Sequence, residues 1–179
     1  VEANINLAVA LQAQGKFDDA VAACHRALDL KPDCAEARNN LGITLQKQGK
    51  LAEAIVDYDG ALASKPNYPE ALTNLGYTYI KMKKRPLAMR YFKKALEQDP
   101  GNMEVRMNIA ALLLEHLNYA VAHEHYATVY KAQPLNVEAH EGLCDATYGL
   151  GGSAKENQAQ FQKGIDCYLD LLTKQPERA

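Results

Sequence analysis

The chain has 179 residues, 47% of them hydrophobic and only 7% aromatic, which is enough apolar mass for one folded domain or one solenoid stretch and excludes a disordered chain. A formal net charge of −2 excludes both a generally basic nucleic-acid binder and a strongly acidic solvating chain. No apolar run reaches the roughly eighteen residues of a membrane span and no signal-peptide pattern is present, so direct membrane insertion is not expected; the compartment itself is only weakly constrained, with the cytoplasm preferred.

Abundant Ala and Leu favour helices, and Pro32, Pro66, Pro100 and Pro134 recur every 34 residues, the mark of a solenoid. The expected repeats are 1–34, 35–68, 69–102, 103–136 and a longer fifth, 137–179, each a first helix, a turn and a second helix. Counting places within a repeat, Leu7, Leu41, Leu75, Ile109 and Leu143 share place 7, and the small residues Ala8, Gly42, Gly76, Ala110 and Cys144 share place 8. Places 4, 7, 8 and 11 lie on one face of the first helix. Ala20, Ala54, Ala88 and Ala122, then Cys24, Tyr58, Phe92 and Tyr126, then Ala27, Ala61, Ala95 and Val129 make the packed face of the second. Small residues at places 8 and 20 let the two helices approach, and larger ones would cost roughly 1–3 kcal/mol by overpacking.

In chain order, Gly15 and Gly49 end the first helices of repeats one and two in a left-handed cap. Repeats three and four carry Lys83 and Leu117 there, and Pro86 stands near the start of the next helix, so those turns are expected to differ in detail. Repeat five reaches its matching proline, Pro176, only 42 residues after Pro134, which places an insertion of about eight residues near 149–160. Its glycines, Gly149 to Gly152, read as a flexible turn, and Ser153 to Glu156 as a capping box starting a lengthened helix. Gly164, Tyr168 and Leu171 then fill the places of the earlier Ala, aromatic and Ala. A tolerated loop is preferred to a partner-specific protrusion. Neither end shows a polar capping helix, which predicts that the repeats belong to a longer protein.

In repeat three, Leu75-Gly76, Tyr79, Ala88, Phe92, Ala95 and Pro100 fill an L-G-x-x-Y, A, aromatic, A, P pattern. The chain thereby resembles the tetratricopeptide repeat family over essentially its whole length. The early Trp of that family is replaced by Asn4, Arg38, Leu72, Arg106 and His140. The resemblance implies an all-α, right-handed solenoid of about five stacked helix-turn-helix hairpins, with the first helices lining a concave wall.

On such a wall, places 2, 5, 6, 9, 12 and 13 face a ligand. Place 6 is Asn6, Asn40, Asn74 and Asn108, then Gly142. Asn is a mediocre helix former, but its carboxamide both donates and accepts, so it suits bidentate bonding to an extended peptide backbone. The series is similar to the asparagine ladder of O-linked N-acetylglucosamine transferases; the alternative, that these residues bridge neighbouring helices, stays open. Val9, Ile43 and Tyr77 at place 9 and Gln12, Gln46 and Ile80 at place 12 would add pockets between the rungs. No register supplies the Lys–Asn pair of the carboxylate clamp used by similar co-chaperones: Ile5 and Val9, Asn39 and Ile43, and Thr73 and Tyr77 stand there. Glu2, Glu36, Glu70, Glu104 and Glu138 read as helix-dipole partners rather than an acidic rim. Lys81, Lys83, Lys84, Arg85, Arg90, Lys93 and Lys94 form a basic island, read as a solvated face.

No phosphate loop, nucleophile elbow or zinc-protease helix is present, so no enzyme activity, catalytic residue or cofactor is expected. His140 and Cys144 stand i, i+4 and could ligate a metal, but the small place of Cys144 favours packing, and no metal site is expected. His123 and His125 read as surface residues. Cys24, Cys34, Cys144 and Cys167 match no zinc set or disulfide framework and read mainly as packing residues, although Cys144 and Cys167 fall on one hairpin and could bridge in an oxidising compartment. The expected function is a non-catalytic scaffold binding a peptide or protein segment. Two alternatives are the substrate-recognition repeats of a larger glycosyltransferase-type enzyme and a self-assembling homo-oligomer.

Overall fold

The computed structural model describes residues 1–151 and 158–174. These contain ten α-helices and no strand: α1 (Glu2–Ala13), α2 (Phe17–Leu30), α3 (Ala35–Lys47), α4 (Leu51–Ser64), α5 (Pro69–Lys81), α6 (Arg85–Gln98), α7 (Met103–Glu115), α8 (Tyr119–Ala132), α9 (Val137–Leu150) and α10 (Gln158–Lys174). The expected all-α hairpin architecture is observed. Helices α3, α5, α7 and α9 begin 34 residues apart, and so do α2, α4, α6 and α8. In the fifth hairpin α10 has 17 residues against 14 in α8. The expected capping box at 153–156 and Pro176 lie outside the described residues.

The chain forms two compact units, Val1–Pro100 and Gly101–Ala179. In the first, α1–α2, α3–α4 and α5–α6 are antiparallel hairpins, each second helix packs on the next first helix, and α1 packs on α3 and α3 on α5. The first helices are therefore a close-set layer. Within each hairpin the residue at place 24 fills the core: Cys24, Tyr58 and Phe92 are fully buried. A Cβ added at Gly42 would stand 2.6 Å from the Tyr58 ring, and one at Gly76 would overlap Phe92, which is why place 8 is small. Place 7 is buried at Leu41, Leu75 and Ile109, but Leu7 is 43% exposed on α1, which packs on α2 and α3.

The turns after α5 and α7 correct the expectation that they would differ. Lys83 (φ 58°) and Leu117 (φ 57°) take the same left-handed conformation as Gly15 (φ 73°) and Gly49 (φ 80°). All four close the same pair of hydrogen bonds, exemplified by Lys16 N–H to Leu11 O at 2.9 Å with Gly15 N–H to Gln12 O at 3.1 Å, and by Asn118 N–H to Leu113 O and Leu117 N–H to Leu114 O, both 2.9 Å. The need to satisfy the last helical carbonyls fixes the geometry, and the residue type follows only where it can.

In the second unit α7 packs on α8 and α9, α8 on α9, and α9 on α10. Asn102 and Asn136 cap α7 and α9, each Oδ1 accepting from a backbone N–H at 2.9 Å, Val105 and Ala139 respectively. Tyr126 reaches over α9 so closely that a Cβ at Gly142 would collide with its ring. This explains why the asparagine series stops at Gly142. Gly164 of α10 lies against the Tyr148 backbone, where a Cβ would meet the Tyr148 Cα at 2.7 Å. Cys144 and Cys167 are joined by a disulfide, their Cα atoms 5.4 Å apart, while Cys24 and Cys34 are buried and free. The packing reading therefore stands for the latter two and is corrected for the former two: close approach of α9 and α10 at Gly164 brings the sulfurs together.

Candidate functional site

The first-helix layer of the first unit carries a repeated polar network. Gln12 Nε2 donates to Thr44 Oγ1 at 2.8 Å and to the Asn40 backbone carbonyl at 3.0 Å; Gln46 Nε2 donates to Thr78 Oγ1 at 2.7 Å and to the Asn74 carbonyl at 3.4 Å. Thr44 and Thr78 in turn donate to those same carbonyls, 2.8 and 2.7 Å away. Gln12, Thr44 and Thr78 are buried. Sequence reasoning placed Gln46 among ligand pockets and did not find this bridge. Its signal is the pairing of Gln at place 12 with Thr at place 10 of the following repeat.

The place-6 side chains do different things. Asn6 is exposed; Asn40 and Asn74 are half-buried. Asn40 Nδ2 donates to Glu36 O of its own helix at 3.0 Å, and Asn74 Nδ2 donates to Oδ1 of buried Asn39 in the preceding repeat at 3.0 Å. Asn74 is thus a bridging residue as well as a surface one. Around them Val9 is 47% exposed, and Ile43, Tyr77 and Ile80 are half-buried, with Tyr77 set edge-on to Phe92 at 5.3 Å. In the second unit Asn108 is half-buried and donates to Glu104 O at 2.8 Å. The seven basic side chains of residues 81–94 are all exposed.

A second cluster lies between α9 and α10. The ligand-capable atoms of His140, Cys144 and Cys167 lie within 4.8 Å of one another, and His140 Nε2 stands 3.6 Å from Asp170 Oδ2. Burial lowers the His140 pKa; Asp170 opposes that shift and Lys174 adds to it.

Two sequence models described as tetratricopeptide repeat match this chain, one over residues 5–69 and 107–154 and the other over 69–102. The chain belongs to the tetratricopeptide repeat family. Repeats of this family commonly act as protein-interaction scaffolds and are generally not enzymes. Among solved structures, MamA superposes with a TM-score of 0.79 at 16% identity, covering 99% of this chain and 92% of that one. A tetratricopeptide repeat protein from Parabacteroides merdae gives 0.79 at 20% identity, over 98% of this chain and 66% of that one. YrrB, described as a TPR protein with an unusual peptide-binding site, gives 0.75 at 23% identity, over 97% and 85%. At these identities the likeness is one of fold. No curated protein matches in sequence.

Proposed function

We propose that this chain is a non-catalytic scaffold that holds an extended peptide against its first helices, with Asn6 and Asn40 gripping the peptide backbone and Asn74 contributing its Oδ1 as an acceptor in the first unit, and with Asn108 as a peptide-contacting residue of the second unit in its own right. The observation that carries this reading is a division of labour. Gln12 bonds the backbone carbonyl of Asn40, not its side chain, so mating of the repeats makes no use of the Asn40 carboxamide. With one amide hydrogen on Glu36 O, Asn40 keeps Oδ1 and a second hydrogen for a ligand. Val9, Ile43, Tyr77 and Ile80 supply apolar contact for alternate side chains, and Gln46 supports the wall from behind. YrrB offers a precedent for a peptide site on this fold.

The test is selection of binders from a random peptide library, followed by calorimetry. Asn6→Ala and Asn40→Ala should each weaken a selected peptide about five- to tenfold without lowering Tm, the loss expected for a hydrogen bond or two. N-methylation of the peptide at alternate amides should weaken it similarly. Unchanged affinity in both variants and in the methylated peptide would remove the ladder from the mechanism.

A further inference from the structure

His140 and Cys144 share one face of α9 at i, i+4, and Cys167 and Asp170 share one face of α10 at i, i+3. The two faces meet. We infer that, once the Cys144–Cys167 disulfide is reduced, these four side chains form a tetrahedral site for a zinc-class divalent ion.

The dimensions fit. Zinc binds sulfur at about 2.3 Å and nitrogen or oxygen at about 2.0–2.2 Å, so ligand atoms around a tetrahedral ion stand roughly 3.3–3.8 Å from each other. The His140, Cys144 and Cys167 ligand atoms already lie within 4.8 Å, and the 3.6 Å from His140 Nε2 to Asp170 Oδ2 falls inside that window. The donor set selects the ion: two thiolates and an imidazole are too soft for magnesium or calcium, while a d¹⁰ ion accepts the tetrahedron without electronic cost. Burial is suitably graded. Cys144 is fully buried and His140 nearly so, whereas the Asp170 side chain is 48% exposed and opens the site to solvent.

The surroundings orient the ligands. The Tyr130 ring lies 4.5 Å from the His140 ring, and Lys174 Nζ bonds Asp170 Oδ2 at 2.7 Å and the Tyr130 hydroxyl at 3.2 Å. Lys174 holds the same oxygen, Oδ2, that faces His140, so Oδ2 can turn to the ion only if the ammonium shifts to Oδ1, which the second carboxylate oxygen allows.

The disulfide and the ion compete for the same sulfurs. A dithiol reductant breaks the Sγ–Sγ bond, leaving two thiols on the protein and becoming a disulfide itself; the arriving cation then displaces both thiol protons to solvent. The site exists in only one redox state, and the hairpin is clamped in either.

Cobalt(II) is the probe, with zinc as competitor. The reduced, full chain should bind one cobalt ion with thiolate-to-metal charge-transfer absorption and the visible bands of a tetrahedral ion, both lost on adding zinc. The oxidised chain should show neither, which is a control needing no substitution. Cys167→Ser should abolish the spectrum, and Asp170→Asn should weaken binding by about 10–100-fold or more, with circular dichroism verifying helix content in both. Equal cobalt binding by reduced and oxidised chain, or an unchanged spectrum in Cys167→Ser, would overturn the site.

Discussion

Leu117 shows how backbone demand can override residue preference. It sits at φ 57° and is 68% exposed, so its side chain contributes little packing while its Cβ opposes the left-handed turn. Leu117→Gly should raise stability by about 0.5–1 kcal/mol, read as a higher Tm in thermal unfolding, with Lys83→Gly acting in the same direction. The glycines at places 8 and 15 were legible because each obeys the period. The matching conformation of Lys83 and Leu117 was not, since neither side chain advertises a positive φ. His140 gives a second test at this scale. Its folded pKa lies below the ordinary value of about 6.5, so the unfolded chain binds more protons in the window just below that value. The stability contributed by the neutral ring is complete above about pH 6.5 and is lost as pH falls through the folded pKa. Tm should drop on acidification through that window, and the drop should shrink in His140→Gln.

Helix ends and helix-to-helix bonds decide matters at the next scale. The repeat pattern located the helices because packed faces and turns alternate regularly along the chain, with Tyr58 and Phe92 lying over the place-8 glycines Gly42 and Gly76 of their own hairpins. The polar bridge from Gln12 to Thr44 and from Gln46 to Thr78 was invisible, because Gln is a good helix former on any surface and so carries no signal by itself. Gln46→Ala should remove that bridge and cost about 1–2 kcal/mol, measured by urea unfolding. Asn40→Ala should cost much less, since its only described side-chain bond is to its own helix. Asn74→Ala should resemble Gln46→Ala more than Asn40→Ala, because it leaves Oδ1 of buried Asn39 without its donor. This ordering separates stability from recognition before any ligand is known.

The chain as a whole consists of two compact units built from one hairpin plan. The plan was readable from periodicity; the Cys144–Cys167 pair was readable only as an alternative to packing, because the bond depends on how far α10 slides along α9, which Gly164 decides by admitting the Tyr148 backbone. The hairpin of α3 and α4 carries both halves of the polar bridge: Thr44 receives from the hairpin before it, and Gln46 donates to the one after. It is self-complementary. A second copy of residues 35–68 inserted directly after the first would find its Thr44 opposite the first copy's Gln46, so the enlarged chain should fold with a Tm no lower than the parent's. The bridge ends at Ile80, which cannot donate. Copy number at this point is therefore a free variable, and a gene that gained or lost a repeat there would still encode a protein whose hairpins fit.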